Sequence, residues 1–147
     1  MRVLIAVDIH RQGKQLVNAA VQWLEGRSDI ESIDLVYAFE LTPGGNAPWP
    51  EPYIWNELMP QWEKLYGKAR DDLQTLLAAV PESKRGLGLC PVGAASRSVS
   101  VMTHRYDMVI VGTHQVKGLA RIWLGSHAER LVRNSDAPVV VLPLVAE

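Results

Sequence analysis

Apolar residues occur along this chain in short continuous runs that alternate with longer, periodically patterned segments. Continuous apolar runs are typical of strands buried on both faces, as in a parallel sheet that is covered by helices. The runs predict five strands, at 3–7, 33–39, 87–92, 108–111 and 138–143. The third of these, 87–92, has the weakest apolar pattern.

Between these runs, apolar residues recur at steps of three or four, which predicts helices. The predicted helices are 16–24 with a stop at Gly26, 58–77, 96–105 and 126–134. Their predicted core-facing residues include Leu65, Ala69, Leu73, Val99, Met102, Ala128, Leu131 and Val132. Because strands and helices alternate, the expected fold class is α/β, with a three-layer, open and mainly parallel sheet.

Segment 40–60 differs from the rest of the chain because it contains five prolines and several aromatic residues. Prolines at this density predict that most of it forms neither a regular strand nor a helix. Irregular segments of this length are often functional. Trp49, Tyr53 and Trp55 suit either a binding surface or a cover for the core and a dimer contact. The second interpretation is slightly favoured, because the long helix that follows must pack on something.

Composition and charge fit one soluble domain over residues 1–147. The chain has 15 basic and 16 acidic residues, so it lacks the positive charge of a nonspecific nucleic-acid binder. Its one cysteine, Cys90, excludes an intrachain disulfide. The apolar run near the start is too short for a signal sequence or a membrane span, so we expect no membrane contact and a cytoplasmic location.

The candidate chemistry lies after two of the predicted strands. Gly112 directly follows a buried strand, Gly125 and Ser126 open a helix, and Asp8 ends the first strand. Glycine lets backbone N–H groups approach a phosphate, and a helix start offers free N–H groups and the positive end of its dipole. These residues predict an anion cradle at the carboxyl ends of the strands. The alternatives are that the glycines only form turns, that Ser126 is only an N-cap, and that Asp8 caps a turn.

The spacing of these residues resembles the nucleotide-binding motif of the universal stress protein family. That motif is a glycine, two residues, a second glycine, nine residues and then Gly-Ser or Gly-Thr. Here Gly112 comes first, Gln115 replaces the second glycine, and Gly125-Ser126 follows after nine residues. The first strand with its acidic end and the apolar segment 137–143 are also typical, so the resemblance covers essentially the whole chain.

The resemblance implies a five-stranded parallel sheet in the order 3-2-1-4-5 that binds ATP or another adenine nucleotide. The implied phosphate contacts are Gly112, Gly125 and Ser126, and His127 flanks this site. The resemblance also implies that Asp8 lies at the ribose and that Ala38 and Val111 flank the adenine. Mg²⁺ can accompany the phosphates, but no protein ligand is assigned to it. We expect no catalytic residues and at most slow ATP hydrolysis, because no general base or Walker lysine motif is visible.

The resemblance further implies a homodimer formed by antiparallel pairing of the last strands, and pairing of this kind would protect an apolar edge strand. The residues of this contact would be Val139, Val140, Val141 and Leu142. The implied function is that of a stress-response regulator, in which ATP changes the loop 113–124 and so the choice of protein partner.

Gln115 leaves an alternative function open. A glycine at this position can adopt positive φ, whereas glutamine there would cost about 1 kcal/mol or more and could fill the phosphate space. The alternative is a nucleotide-free dimeric interaction module with its phosphate site closed by Gln115. A nucleotide-hydrolase enzyme is disfavoured, because the sequence after Asp8 lacks the Ser-Gly-Gly-like loop of that superfamily.

Overall fold

A twisted β-sheet forms the middle layer of the structure, a computed structural model that describes residues 1–40, 52–115, 122–123 and 125–145. The strands are β1 (Arg2–Ala6), β2 (Ser32–Val36), β3 (Arg85–Leu89), β4 (Met108–Gln115), β5 (Ile122–Trp123) and β6 (Val139–Leu144). Strands β3, β2, β1, β4 and β6 are parallel neighbours in that order. The fifth predicted strand is β6, because the short antiparallel β5 was not predicted. The order therefore confirms the predicted five-stranded parallel sheet with strand order 3-2-1-4-5.

Four helices cover the two faces of the sheet, which confirms the predicted three-layer α/β fold. The helices are α1 (Gly13–Trp23), α2 (Pro52–Leu77), α3 (Ala95–Ser100) and α4 (Ser126–Asn134). Helices α1 and α2 pack on one face, and α3 and α4 pack on the other. Within the described residues, no helix is long and apolar enough to cross a membrane.

The central strand β1 shows why its sequence is continuously apolar. Val3 and Ile5 contribute to the core on the α1–α2 side, and Leu4 contributes to the core on the α3–α4 side. Because successive side chains of a strand point to opposite faces, a strand between two helix layers needs apolar residues at every position.

Helix α2 corrects the prediction for segment 40–60. The helix begins at Pro52, before the predicted start at 58, so residues 52–57 are helical rather than irregular, and Pro60 lies inside the helix. Proline is well tolerated in the first helical turn, where its missing N–H has no partner in any case. Pro60 removes one internal hydrogen bond, a local cost that the packing of the rest of the helix offsets. Residues 41–51, including Trp49, lie outside the described residues.

Two helix faces are less buried than the periodicity predicts. Leu65 in α2 and Val132 in α4 were expected to face the core, but they are 55% and 43% exposed. With 26 residues, α2 is roughly 39 Å long, whereas a five-residue strand spans about 17 Å. Among the side chains of α2 that the structure describes, from residue 59 onwards, the buried ones are Ala69, Leu73 and Leu77.

Strand β4 is longer than predicted and does not end at Gly112. It continues to Gln115, where its last two residues pair antiparallel with β5, a strand that the sequence analysis did not predict. Gly112 lies inside the strand and leaves room for Leu144, since a Cβ on Gly112 would lie 2.5 Å from Cδ1 of Leu144 and that side chain would have to shift. The glycine therefore serves packing and does not form a turn after the strand.

A buried polar network lies in the sheet at Asp34 of β2. The Asp34 carboxylate accepts hydrogen bonds from the Leu87 amide (2.8 Å) and the Tyr106 hydroxyl (2.7 Å), and the Arg2 guanidinium lies 3.8 Å away. Burial, followed by the bond to Asp34, raises the pKa of Tyr106 well above its ordinary value. The phenol is therefore held in its protonated, donating form.

Candidate functional site

A cavity of about 540 Å³ opens at the carboxyl ends of β1, β2 and β4. The chain leaves β1 towards β2 on one side of the sheet, and β4 lies on the other side, so strand order reverses at this point. Crevices at such a reversal are the usual ligand sites of open α/β sheets. We call this space the β1–β4 cavity, and its volume lies in the range of ordinary small-molecule sites.

The structure brings seven of the eight predicted binding residues together around this cavity. They are Asp8, Ala38, Val111, Gly112, Gly125, Ser126 and His127. The eighth is Gln115, whose backbone pairs with Ile122 of β5 and whose side chain lies outside the described part of the chain. These residues come from four separate segments, and the parallel sheet aligns the ends of those segments.

Asp8 caps a turn and also borders the cavity. Its Oδ1 accepts a hydrogen bond from the His10 amide at 2.9 Å, so it caps the turn after β1. The residue is also exposed and lines the cavity. A carboxylate has further acceptor positions, so Asp8 can accept from a ligand hydroxyl without giving up the turn.

The start of α4 presents backbone amides to the cavity. Gly125 is the N-cap and makes no side-chain capping bond, so the possibility that Ser126 is the N-cap is wrong. Ser126 is the first helical residue and is exposed, as is His127. A helix start without a side-chain cap leaves N–H donors and the positive dipole end available to an anion.

The start of α3 at the same cavity is already paired with an anionic side chain of the protein. The Ala95 amide donates to Oε1 of Glu40 at 3.0 Å, and both residues line the cavity. The two helix starts therefore differ within the described residues, where a carboxylate accepts from the first amides of α3 but none accepts from those of α4. Glu40 follows β2 and was not singled out as a site residue.

Tyr37 lies between these carboxylates at the end of β2. Burial raises its pKa, and the negative charges of Asp8 and Glu40 raise it further. Its ring meets His10 edge to face at 5.9 Å between centroids. The phenol therefore stays protonated at neutral pH and is a hydroxyl donor in the β2 half of the cavity.

Sequence reasoning missed most of the loop between β1 and α1 that borders the cavity. His10, Arg11, Gln12 and Gly13 all line it. Their position directly after a buried strand was the available signal, since loops after strands carry ligand contacts in this fold class. The left-handed backbone of Gln12 (φ 50°) could not be predicted, because glutamine has no preference for that conformation.

Gln115 does not carry the backbone strain that the sequence suggested. The residue lies in strand β4, and among the described residues only Gln12 combines a side chain with positive φ. The expected cost of a left-handed glutamine at position 115 is therefore absent.

The described ranges contain no group of three or more His, Cys, Asp or Glu side chains that could hold a metal ion. What the arrangement offers is recognition: amides at α4, carboxylates at Asp8 and Glu40, a phenol at Tyr37 and apolar walls at Ala38 and Val111. Such a set can bind a ligand with both an anionic and a hydroxyl-bearing part.

Comparison with known proteins identifies the family. The universal stress protein family model matches residues 1–143, and no curated protein sequence matches the chain. The universal stress protein UspA from Lactobacillus plantarum is 16% identical, with a TM-score of 0.70 and coverage of 97% of both chains. A universal stress protein solved in complex with cAMP is 17% identical, with a TM-score of 0.55 and coverage of 97% of this chain and 96% of the other.

A universal stress protein from Archaeoglobus fulgidus is 13% identical, with a TM-score of 0.55, 96% coverage of this chain and 97% of the other. At these identities the solved structures establish a shared fold, and the family model establishes membership. The chain belongs to the universal stress protein family.

Proposed function

We propose that this protein binds an adenine nucleotide, ATP, in the β1–β4 cavity and acts as a nucleotide-dependent regulatory protein in stress responses. The observation that carries the proposal is the convergence of Asp8, Ala38, Gly112 and the start of α4 on one cavity. Asp8, Gly112 and the start of α4 were selected from their places at strand and helix ends, and Ala38 from the family resemblance, and they come from distant parts of the chain.

The chemistry of the cavity supports a nucleotide with a defined orientation. The uncapped start of α4 suits the phosphates, because backbone amides and the helix dipole favour negative charge. Asp8 suits the ribose, because its carboxylate can accept a hydrogen bond from a ribose hydroxyl. Ala38 and Val111 are buried apolar residues that suit the faces of an adenine ring. The related structure in complex with cAMP adds support for an adenine nucleotide.

We further propose that two copies pair through Val139, Val140, Val141 and Leu142 of β6. Within the described residues, β6 pairs on one side only, with β4. An unpaired apolar edge strand invites a second strand, and a proline such as Pro143 is typical of edge strands. In the dimer, nucleotide occupancy would alter the segment after β4 and so the surface that partners meet.

The test is titration of nucleotide-stripped protein with ATP by calorimetry, with and without Mg²⁺. We expect micromolar affinity, which corresponds to about −8 kcal/mol. Gly125→Val should abolish binding, because its side chain would crowd the amides at the start of α4. Gly67→Val is the matched control: it adds the same atoms within α2, where a Cβ meets nothing within 4 Å.

The pairing of β5 with the end of β4 favours one other function, the nucleotide-free interaction module. This pairing makes residues 114 and 115 part of the sheet. Position 115 is where the family motif has its second glycine, next to the phosphates. Absence of heat and of thermal stabilisation at millimolar ATP would contradict the nucleotide proposal and support this module. Unchanged ATP affinity in Gly125→Val would show that α4 does not hold the phosphates.

A further inference from the structure

The loop between β1 and α1 contains a strained residue at the cavity. Gln12 has φ 50° and ψ 14°, and it lines the β1–β4 cavity. A left-handed conformation costs a residue with a Cβ roughly 1–2 kcal/mol. Strain of this kind persists where the surroundings hold it, and it is concentrated at functional sites.

Contacts on both sides hold this loop in one conformation. Nε2 of Gln12 donates to the Val145 carbonyl at 2.8 Å, and the Gln12 carbonyl accepts from the Leu16 amide at 2.9 Å. Gly13 packs so tightly on the turn that a Cβ would lie 2.6 Å from the Asp8 carbonyl oxygen. The loop is therefore preorganised before any ligand arrives.

The preorganised loop carries Arg11 at the cavity wall. Among the described residues that line the cavity, Arg11 is the one arginine or lysine. It is exposed, so its guanidinium can reorient towards a ligand. An arginine with five fixed N–H donors can bind phosphate oxygens in pairs, which a lysine cannot do.

The two ends of the cavity differ in charge, and the loop of Arg11 reaches both. His10 meets the Tyr37 ring after β2, and Gln12 bonds to Val145 after β6. The contact of Gln12 with Val145 brings the loop beside the end of β6, the neighbour of β4. The α1 side of the sheet thus contributes Arg11, and the α4 side contributes the uncapped helix start. In the β2 half, Glu40 would repel phosphate.

We propose that Arg11 is a specificity-determining residue that binds the outer phosphates of a nucleoside di- or triphosphate, opposite the start of α4. The inference rests on the proposed nucleotide binding and deepens it. It assigns the preference for polyphosphates over a nucleoside to the loop between β1 and α1, whereas the Gly125-Ser126 part of the motif lies at the start of α4.

The test compares ATP and adenosine binding by calorimetry for the wild type, Arg11→Gln and Arg11→Lys. Arg11→Gln should weaken ATP binding about tenfold or more, as for loss of a hydrogen bond to a charged group. Adenosine affinity should stay within about twofold, since adenosine has no phosphate for Arg11 to bind. For ATP, the affinity of Arg11→Lys should lie between those of the wild type and Arg11→Gln. Lys14→Gln is the control, an exposed cation in the first turn of α1 that does not line the cavity.

Each outcome separates this inference from the proposed function. ATP affinity unchanged in Arg11→Gln, or equal losses for ATP and adenosine, would overturn the role of Arg11 and leave nucleotide binding in place. A wild type that binds no ATP would overturn both. Thermal melting of each variant confirms that a lost affinity is not a lost fold.

Discussion

At the scale of single residues, Asp34 shows how a carboxylate can be buried in a sheet. The residue is 3% exposed, and a buried charge is costly unless it is hydrogen-bonded. The Leu87 amide and Tyr106 hydroxyl supply those bonds, and Arg2 adds an opposite charge. Arg2 also lies over the Tyr106 ring, 5.2 Å from its centroid, so the three side chains form one unit.

Tyr106→Phe should change how stability depends on pH. The raised pKa of Tyr106 means that the folded state keeps a proton that the unfolded state loses near pH 10. The stabilisation is fully present below that pH and is lost as pH rises towards the folded-state value. The wild type should therefore lose up to about 1.4 kcal/mol per pH unit more than Tyr106→Phe above pH 10.

Urea unfolding between pH 7 and 11 measures this difference. At pH 7 the variant should be less stable by about 1–3 kcal/mol, because a buried acceptor of Asp34 is left unpaired. Parallel pH profiles for the two proteins would contradict the role of the phenol.

Gly86→Ala should destabilise the fold by about 2 kcal/mol or more. A Cβ at Gly86 would lie 1.8 Å from Oδ1 of Asp34, the oxygen that accepts from Leu87. The carboxylate would have to move and lose its bonds. Gly67→Ala adds the same methyl group in open space within α2, so it should be neutral or stabilising by up to about 1 kcal/mol. Equal stabilities of the two variants by thermal melting would contradict this account.

At the scale of elements, the described side chains of α2 change from exposed to partly buried along the helix. Met59 and Leu65 are exposed, whereas Ala69, Leu73 and Leu77 further along are buried. Pro60 lies within the helix on the exposed part. Proline lacks the N–H for the helical hydrogen bond and its ring crowds the preceding turn. The N-terminal turns of α2 are therefore held less firmly than the rest.

Pro60→Ala should lengthen the stable part of α2. Removing the proline restores one hydrogen bond and relieves the clash with the preceding turn, for a gain of about 1–3 kcal/mol. For a chain of this size that corresponds to an increase in melting temperature of several degrees. Circular dichroism should show more helix at 222 nm. A lower helical signal would mean that the helix begins at Pro60 and that proline is its favourable first residue.

The elements also show how far the sequence could predict this structure. The apolar runs predicted every parallel strand, because a strand between two helix layers must be apolar throughout. The bounds of β4 and the start of α2 were mispredicted, since Gly112 lies inside a strand and Pro52 begins a helix in a segment where the density of prolines suggested irregular structure. The packing of Leu144 onto Gly112 is a tertiary contact that no local pattern reports.

The candidate site was predictable in part for a similar reason. Gly112 and Gly125 could be recognised in the sequence because their spacing matches the family motif, and the fold brings both to one cavity. Arg11 and Glu40 were not selected, because their importance arises from neighbours distant in the sequence. Glu40 pairs with Ala95, and the loop of Arg11 is fixed by a contact with Val145.

At the scale of the whole molecule, the two edges of the sheet differ. Strand β3 at one edge contains Gly86 and Gly88 and pairs irregularly with β2. Strand β6 at the other edge is regular and apolar, and it pairs with β4 over six consecutive residues. The regular edge is the better template for a second copy, because bulges and glycines disfavour edge pairing.

Val141→Lys should convert a dimer into a monomer. Val141 lies in the middle of β6 and is 36% exposed, and a lysine there would place a charge in the proposed contact. Val101→Lys is the control, since Val101 follows α3 and is 63% exposed. Sedimentation at tens of micromolar protein should give a dimer for the wild type and the control. A monomeric wild type, or a dimeric Val141→Lys, would contradict pairing through β6.

The hydrogen bond from Gln12 to Val145 has a consequence for binding curves. It ties the wall of the β1–β4 cavity to the end of the strand that would pair two protomers. If a bound ligand shifts that wall, β6 of the same protomer shifts with it. Because β6 would pair with β6 of the second protomer, the shift would alter the second cavity before a ligand binds there. Linkage is reciprocal, so ligand affinity and subunit affinity must then change together. ATP saturation of the dimer would deviate from a simple hyperbola, and Gln12→Ala would restore independent sites.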